Sequence, residues 1–220
     1  MMINPTILDF ISYMGTTLAS LFAIANPIGT IPIFYSLTSR DSRCYQIEQA
    51  QKTAINVTLI LIVFLFIGSY ILKFFGLSLA EIQIAGGLIV GHTAWGMVTT
   101  KQMLTQGERQ EATDREDVSF APMALPLIAG PGAIGVAISQ GTQAKQLVQS
   151  LGCAAGVLLL GIIVYLCLIL GKPLIDRIGQ NGIGALNRIF GFLILSIAVE
   201  LIAGGVTDIV KKLAPILLQS

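Results

Sequence analysis

The chain has 220 residues, of which 54% are hydrophobic and 11% are charged, with a mean hydropathy of +0.81 and a formal net charge of +1. Because a soluble domain carries roughly 25% charged residues, this composition predicts an all-α polytopic membrane protein. The near-zero net charge gives no positive electrostatic potential that would attract nucleic acid. The three cysteines form no C-x-x-C pair and lie far from the single histidine in the sequence. Neither nucleic-acid binding nor a metal site is therefore predicted.

The first apolar run extends from residue 15 to residue 37 and is too long for one straight spanning helix of about 20 residues. Pro27 lies in its middle. A proline removes a backbone donor and clashes with the carbonyl four residues earlier, so the helix is expected to stop at Asn26 and restart at Pro27. Asn26 can cap the new half-helix. The polar stretch at 38–52 is predicted to be a loop or surface turn.

Five more apolar runs follow, and each has the length of a membrane-spanning helix. The third and fifth helices of the chain, 82–98 and 147–171, contain the G-x-x-x-G spacings Gly87/Gly91 and Gly152/Gly156, which predict close contacts between helices. A hydrophilic linker at 101–118 separates the first three helices from the last three. The five runs are 54–72, 82–98, 119–140, 147–171 and 185–206.

The fourth segment is broken at Ala129-Gly130-Pro131-Gly132, and an offset of 104 residues aligns this break with the first one. The same offset relates the third and sixth helices. We therefore predict two three-helix repeats, 15–100 and 119–207, within a single membrane domain, 1–220. The aligned pairs are Leu21/Leu125, Ile24/Ile128, Ala25/Ala129, Pro27/Pro131, Gln83/Asn187 and Gly87/Gly191.

The basic residues predict the orientation. Nine of the 13 Lys and Arg residues lie in the loops after helices one, three and five, which places those loops in the cytoplasm and both termini outside. Because each repeat has an odd number of helices, the second repeat is expected to be inserted upside down. Inverted repeats of this kind are typical of secondary transporters, whose site lies at the repeat interface near the midplane.

Each break is expected to place the N-terminus of a half-helix inside the apolar slab. Its free N–H groups and a dipole worth about half a charge suit a carboxylate or another small anion. Because the repeats are inverted, the two ends can face each other across a cavity, which is where unwound backbone is tolerated at this depth. The alternative is that the prolines only kink packed helices.

Four segments resemble the signature segments of the MarC family. These are six-helix inner-membrane proteins that include the SnatA-type transporters of small neutral amino acids and are grouped with the LysE-like exporters. The resemblance implies transport of glycine- or alanine-sized substrates across the cell inner (cytoplasmic) membrane, coupled to a gradient of an ion such as H⁺ or Na⁺. The segments are N-P-I-G-T-I-P-I-F (26–34), I-A-G-G-L-I-V (84–90), P-L-I-A-G-P-G-A-I (126–134) and R-I-F-G-F-L (188–193).

A zwitterionic amino acid needs partners for both of its charges. We expect the half-helix ends at Pro27 and Pro131 to take the carboxylate. The ammonium group would be bound by the Asn26 side-chain oxygen, Thr30 and backbone carbonyls freed at the breaks. Glycines would keep the pocket small, and the glycines assigned to it are Gly29, Gly86, Gly87, Gly130 and Gly132.

Two ionisable residues are candidates for ion coupling, because such groups are unfavourable inside a bilayer. Glu200 lies about 18 Å along its helix from Arg188 at 1.5 Å per residue, past the midplane toward the outer face. His92 is the single histidine of the chain, and histidine is the residue type that most often exchanges a proton near neutral pH. The alternatives are that Glu200 extends to the interface or pairs with His92, and that His92 is a hydrogen-bonded packing residue.

No catalytic motif such as G-x-S-x-G or H-E-x-x-H is present, so neither an enzyme nor a bound cofactor is predicted. The strongest alternative is a passive small-solute channel, which can be built from the same inverted repeats and paired half-helices. An exporter of another small metabolite also remains open.

Overall fold

A computed structural model describes residues 5–38, 41–99 and 117–217, and every regular element within these ranges is helical. The predicted all-helical class is confirmed. In chain order the helices are α1 (Pro5–Ala25), α2 (Pro27–Leu37), α3 (Arg43–Phe75), α4 (Leu79–Val98), α5 (Ser119–Ile128), α6 (Pro131–Gln143) and α7 (Leu147–Leu217).

Four helical stretches are long and apolar enough to cross a membrane within the described ranges. A fifth crossing results if α5 and α6, which meet at an angle of 67°, form one broken span. The mean hydropathy of α4 is lower than that of these four stretches, because Glu81, Gln83 and His92 interrupt its apolar residues. The structure thus supports four or five spans where six were expected. The four stretches are Thr6–Ala25, Arg43–Phe75, Leu147–Pro173 and Gly184–Ala214.

The prediction of a loop at 38–52 is wrong beyond Ser42. The Ser42 side chain accepts a hydrogen bond from the Tyr45 N–H at 3.3 Å and caps α3, which begins at Arg43. The polar residues that follow lie mostly on exposed helix surface rather than in a turn. A short polar stretch next to an apolar run can be an extension of the same helix, and hydropathy alone does not distinguish this from a loop.

The glycine-rich segment 172–184, between the last two predicted helices, is largely helical and is interrupted at one residue. The only residue with non-helical backbone angles inside α7 is Gly179, with φ 70° and ψ 170°, a conformation that is essentially restricted to glycine. We call Leu147–Pro173 the first arm of α7 and Gly184–Ala214 its second arm.

The core lies between α1, α2, α3, α5, α6 and the first arm of α7, and includes the fully buried Leu61 and Leu160. Gly152 and Gly156 let the first arm approach α1 closely. A Cβ at Gly152 would lie 2.7 Å from the Phe10 carbonyl oxygen, and one at Gly156 would lie 2.8 Å from that of Met14. The predicted close-packing role of this glycine pair is confirmed.

The helix α4 packs along the second arm of α7 through a glycine seam, which we define as Gly87, Gly91, Gly191 and Gly205. A Cβ at Gly87 would lie 2.9 Å from the Ala198 carbonyl oxygen, and one at Gly191 would lie 3.1 Å from that of Ala94. Since the earlier residue of α4 meets the later residue of α7, the two helices run antiparallel.

Candidate functional site

The first break consists of one residue, Asn26, between α1 and α2. Its backbone is left-handed, with φ 42° and ψ 59°, a region in which Asn is one of the few residues other than glycine found regularly. Its Oδ1 accepts a hydrogen bond from the Gly29 N–H at 3.2 Å and so caps α2. The last carbonyls of α1 and the first N–H groups of α2, which have no partners within their own helices, therefore lie close together.

The second break is built differently. α5 has hydrogen bonds spanning five residues, such as Met123 N–H to the Val118 carbonyl, and extended residues at Ala121 and Leu125. Each extended residue precedes a proline, which disfavours the helical conformation there. Gly130 then precedes Pro131 at the start of α6 and offers no side-chain cap.

Gly130 is required by a close approach of backbone. A Cβ at this position would lie 2.5 Å from the Pro126 carbonyl oxygen, although its own φ of −69° would suit any residue. The carbonyl of Pro126 therefore fills the space that a side chain would take. The first N–H groups of α6 are left without a side-chain partner.

The two breaks meet at a cavity of about 360 Å³, which is within the range of small-molecule sites. A smaller cavity of about 70 Å³ shares part of this wall and reaches Gly130, Gly132 and Ile194. The lining of the larger cavity comes from α1 and α2, the C-terminal half of α4, and the second break: Ile24, Ala25, Asn26, Thr30, His92, Thr93, Gly96, Met97, Pro126, Leu127 and Pro131.

Two of these lining residues carry buried polar groups. Asn26 is 4% exposed and Thr30 is 1% exposed. The Thr30 hydroxyl donates to the Pro27 carbonyl at 2.9 Å, which leaves its oxygen free to accept. Among the described residues, the Asn26 amide nitrogen has only the Met97 sulfur as a partner, at 4.0 Å. The Asn26 oxygen has one lone pair left beyond the bond from Gly29. The cavity therefore offers both acceptors and an underused donor.

The structure brings together most of the residues expected to form the site. Asn26, Thr30 and Pro131 line the larger cavity, and Gly130 and Gly132 line the smaller one. The buried residues Pro27 and Gly29 lie within the first turn of α2, next to that wall.

Gly86 and Gly87 line neither cavity and instead allow helices to approach. Gly86 faces Gly135 of α6, with the Cα of Gly135 4.0 Å from the Gly86 Cβ position, and Gly87 belongs to the glycine seam. His92 lines the larger cavity. Glu200 is exposed on the second arm of α7 and lines neither cavity.

A further polar residue, Asn187, was not identified as part of the site from the sequence. Its Oδ1 is buried without a hydrogen-bond partner among the residues that the structure describes. A Cβ at Gly29 would lie 2.7 Å from this oxygen and would overlap the Asn26 amide. Gln83, its partner under the 104-residue offset, also has a buried oxygen without a partner. The sequence feature that could have identified Asn187 is its amide side chain within an otherwise apolar helix.

Charged groups at the polar ends of α3 and α5 form a separate cluster. Lys52 lies 2.8 Å from Glu48 and 3.2 Å from Asp117. Burial opposes ionisation of Asp117, but hydrogen bonds from Ser119 and Lys52 outweigh burial and lower the pKa of this carboxyl group. The cluster joins the start of α3 to the residue before α5.

Known proteins match nearly the whole chain. The family model described as MarC family integral membrane protein matches residues 11–210. The chain belongs to the MarC family. The resemblance found from the sequence segments is thus confirmed, and the protein is a multi-pass integral membrane protein. No solved structure matches the chain.

Similar sequences, described as UPF0056 membrane proteins, occur in bacteria and archaea. The UPF0056 membrane protein YhcE of Escherichia coli (strain K12) is 32% identical over 207 residues, covering 93% of this chain and 96% of the relative. A UPF0056 membrane protein of Methanocaldococcus jannaschii is 33% identical over 198 residues, covering 89% and 97%. The MarC match spans both breaks and every lining residue of the two cavities.

Proposed function

We propose that this MarC-family protein is a secondary transporter of small neutral amino acids, of glycine or alanine size, that works by alternating access in the inner membrane. The observation that carries the proposal is the cavity at which both helix breaks meet, lined by Asn26, Thr30 and Pro131. Broken helices that expose backbone groups beside a cavity are how many transporters bind small charged substrates in a bilayer.

The difference between the breaks assigns the two charges of the substrate. α6 has no side-chain cap at its N-terminus, so its first N–H groups and its positive dipole end are available to a carboxylate. α2 is already capped by Asn26. The C-terminal carbonyls of α1, the Thr30 oxygen and the Asn26 oxygen are acceptors, so the ammonium group binds on that side.

The inverted repeat is part of this proposal, and the contacts of the glycine seam support it. Gly191 and Ala198 lie 104 residues after Gly87 and Ala94, so the contact of Gly87 with Ala198 and that of Gly191 with Ala94 are equivalent. Equivalent helices that run antiparallel are expected for repeats inserted in opposite directions. In this arrangement α4 and the second arm of α7 are the third and sixth spans, both termini face outward, and H⁺ or Na⁺ drives transport.

The proposal is tested by uptake of labelled glycine and alanine into proteoliposomes, with and without an imposed pH or Na⁺ gradient. We expect accumulation that depends on one gradient and is accelerated when unlabelled substrate is trapped inside. Uptake without acceleration by trapped substrate would indicate a passive channel. Absence of uptake of both amino acids under either gradient would reject the substrate class and favour another small metabolite.

A further inference from the structure

The larger cavity is lined by residues of α4 and not by their equivalents, 104 positions later, on the second arm of α7. We propose that these equivalent residues line a second cavity, with Glu200 in its wall, in the opposite state of the transport cycle. This inference rests on the proposed alternating access. It also assigns a place in the transport path to a carboxylate that lines neither cavity in the present state.

The local two-fold relation between α4 and the second arm of α7 can be located on the seam. A Cβ at Gly91 would lie 4.0 Å from a side-chain carbon of Leu195, and these two residues are each other's equivalents under the 104-residue offset. The axis therefore passes between them. The Gly87 and Gly191 contacts described above lie on either side of this point.

Burial along the two helices follows the same relation. Leu88 and its equivalent Phe192 are 61% and 65% exposed, whereas Ala94 and its equivalent Ala198 are 0% and 1% exposed. Outward and inward faces thus correspond on both helices, and the offset is a valid guide from a residue on one helix to its counterpart on the other.

The larger cavity does not follow this two-fold relation. Its wall on α4 consists of four residues in the C-terminal half of that helix. The equivalent positions on α7 do not line the larger cavity. Moving the four wall residues by 104 positions takes His92, Thr93, Gly96 and Met97 to Ser196, Ile197, Glu200 and Leu201.

The equivalent face forms no part of the larger cavity and lies partly on the molecular surface, where Ser196 and Glu200 are exposed and Ile197 is half-buried. Leu201 packs against the main core, and Ile128, the counterpart of Ile24, is 1% exposed and lines the smaller cavity. Phe22, the counterpart of Pro126, makes an edge-to-face contact with Phe190 at a ring-centroid distance of 6.3 Å. One face forms the wall of the larger cavity, whereas its counterpart lies partly on the surface and partly against the core.

A chain whose repeats are equivalent in sequence but differ in packing has a second arrangement available, in which the repeats exchange conformations. Rocking of one repeat against the other about a fixed site is the general form of this exchange in transporters. The exchange closes the present cavity and makes the face that carries Ile197 and Glu200 the wall of a new cavity. Because Gly96 corresponds to Glu200, the second cavity contains a carboxylate that the present cavity lacks.

The consequence is a chemical difference between the two ways into the site. A substrate that enters through the second cavity passes a carboxylate, which attracts an ammonium group or a metal cation. A substrate that enters through the present cavity passes Gly96 and His92. The site between the breaks is shared, whereas the approach to it differs in charge.

The test uses single cysteines at Thr93 and at its counterpart Ile197 in the full-length protein. Cys44, Cys153 and Cys167 are first replaced, and the background variant is checked for folding and for uptake. Thr93→Cys and Ile197→Cys are then labelled in membrane vesicles with a membrane-impermeant maleimide, which is added to one side or the other. Leu88→Cys and Phe192→Cys are matched controls, because both are exposed on the outer surface of the helices and away from the cavity.

We expect Thr93→Cys to react from one side only and Ile197→Cys to react from the other side only. In a double variant, prior modification of Thr93→Cys with a bulky maleimide should hold the present cavity open and slow labelling of Ile197→Cys by at least ~10-fold, since a disfavoured state is populated at a few per cent or less. The two control cysteines should show no change with this modification.

Three outcomes would overturn the inference: an Ile197→Cys side chain that reacts from neither side, one that reacts from the same side as Thr93→Cys, and one whose labelling is unaffected by the modification. Labelling is measured without any substrate, so its result is independent of whether glycine or alanine is transported. Failure of uptake with exclusive labelling would reject the substrate class, and normal uptake without exclusive labelling would reject the second cavity.

Discussion

The two helix breaks occupy equivalent positions in the chain but are built from different chemistry. At the first, a left-handed Asn26 caps α2 with its own side chain; at the second, Gly130 has no side chain and the Pro126 carbonyl fills the space. Both copies of the pattern therefore interrupt a helix, but the two interruptions are stabilised in different ways. One break is capped by a side chain, and the other has no side-chain cap.

The largest effect is expected for Gly130→Ala. The new Cβ would lie 2.5 Å from the Pro126 carbonyl oxygen, which is backbone and must move together with α5. Overpacking of this kind is destabilising by about 1–3 kcal/mol, and the displacement would distort both cavities. We expect a lower melting temperature and loss of amino-acid uptake. Gly184→Ala is the control, because no atom lies within 4 Å of its Cβ position; equal effects of the two variants would show that the close approach is unimportant.

At the first break, Asn26→Ala and Asn26→Gly separate the backbone from the side chain. Loss of the cap is destabilising by about 1 kcal/mol for Ala and a few tenths for Gly, and a left-handed Ala adds about 1–2 kcal/mol. The melting temperature should therefore be highest for the wild type, lower for Asn26→Gly and lowest for Asn26→Ala. Both variants should raise the KM for uptake, because both remove the cavity-lining amide. A normal KM in Asn26→Gly would mean that this side chain only caps the helix.

A smaller effect should distinguish Asn187 from Gln83, its counterpart. Each has a buried amide oxygen without a partner in the described part of the chain, so Asn187→Leu and Gln83→Leu should leave the melting temperature unchanged or raise it. Only Asn187 lies beside Gly29 and Asn26. We therefore expect uptake to show an increased KM for Asn187→Leu alone, and equal KM values in the two variants would contradict a role for Asn187 at the break.

The smallest effect is expected outside the cavity, for Asp117→Asn. The side chains of Asp117 and Lys52 are about half exposed, so solvent screens the pair and it contributes little to stability. Because the pKa of Asp117 is lowered in the folded protein, its contribution is complete above the ordinary value of 3.8 and is lost as the pH falls through the lowered pKa. Melting curves of wild type and variant should differ slightly at neutral pH and converge in acid, with uptake unaffected.

The sequence predicted the breaks because proline and glycine act locally on the backbone, and the structure has helix ends at Ala25 and Ile128. It also predicted the Gly152/Gly156 contact, which follows from a short spacing. The start of α3 at Arg43 was missed because a capping serine outweighed the polarity of the following turns. The position of Asn187 beside Gly29 was missed because two residues 158 positions apart are brought together only by packing of the whole chain.

The axis between Gly91 and Leu195 has one more consequence. In the proposed inverted repeat, a contact between equivalent residues on antiparallel helices is isologous, so each half of the chain would present to the other the surface that it would present to an oppositely inserted copy of itself. Under that proposal, the α4/α7 seam has the geometry of the interface of a symmetric dimer whose two subunits are joined in one polypeptide.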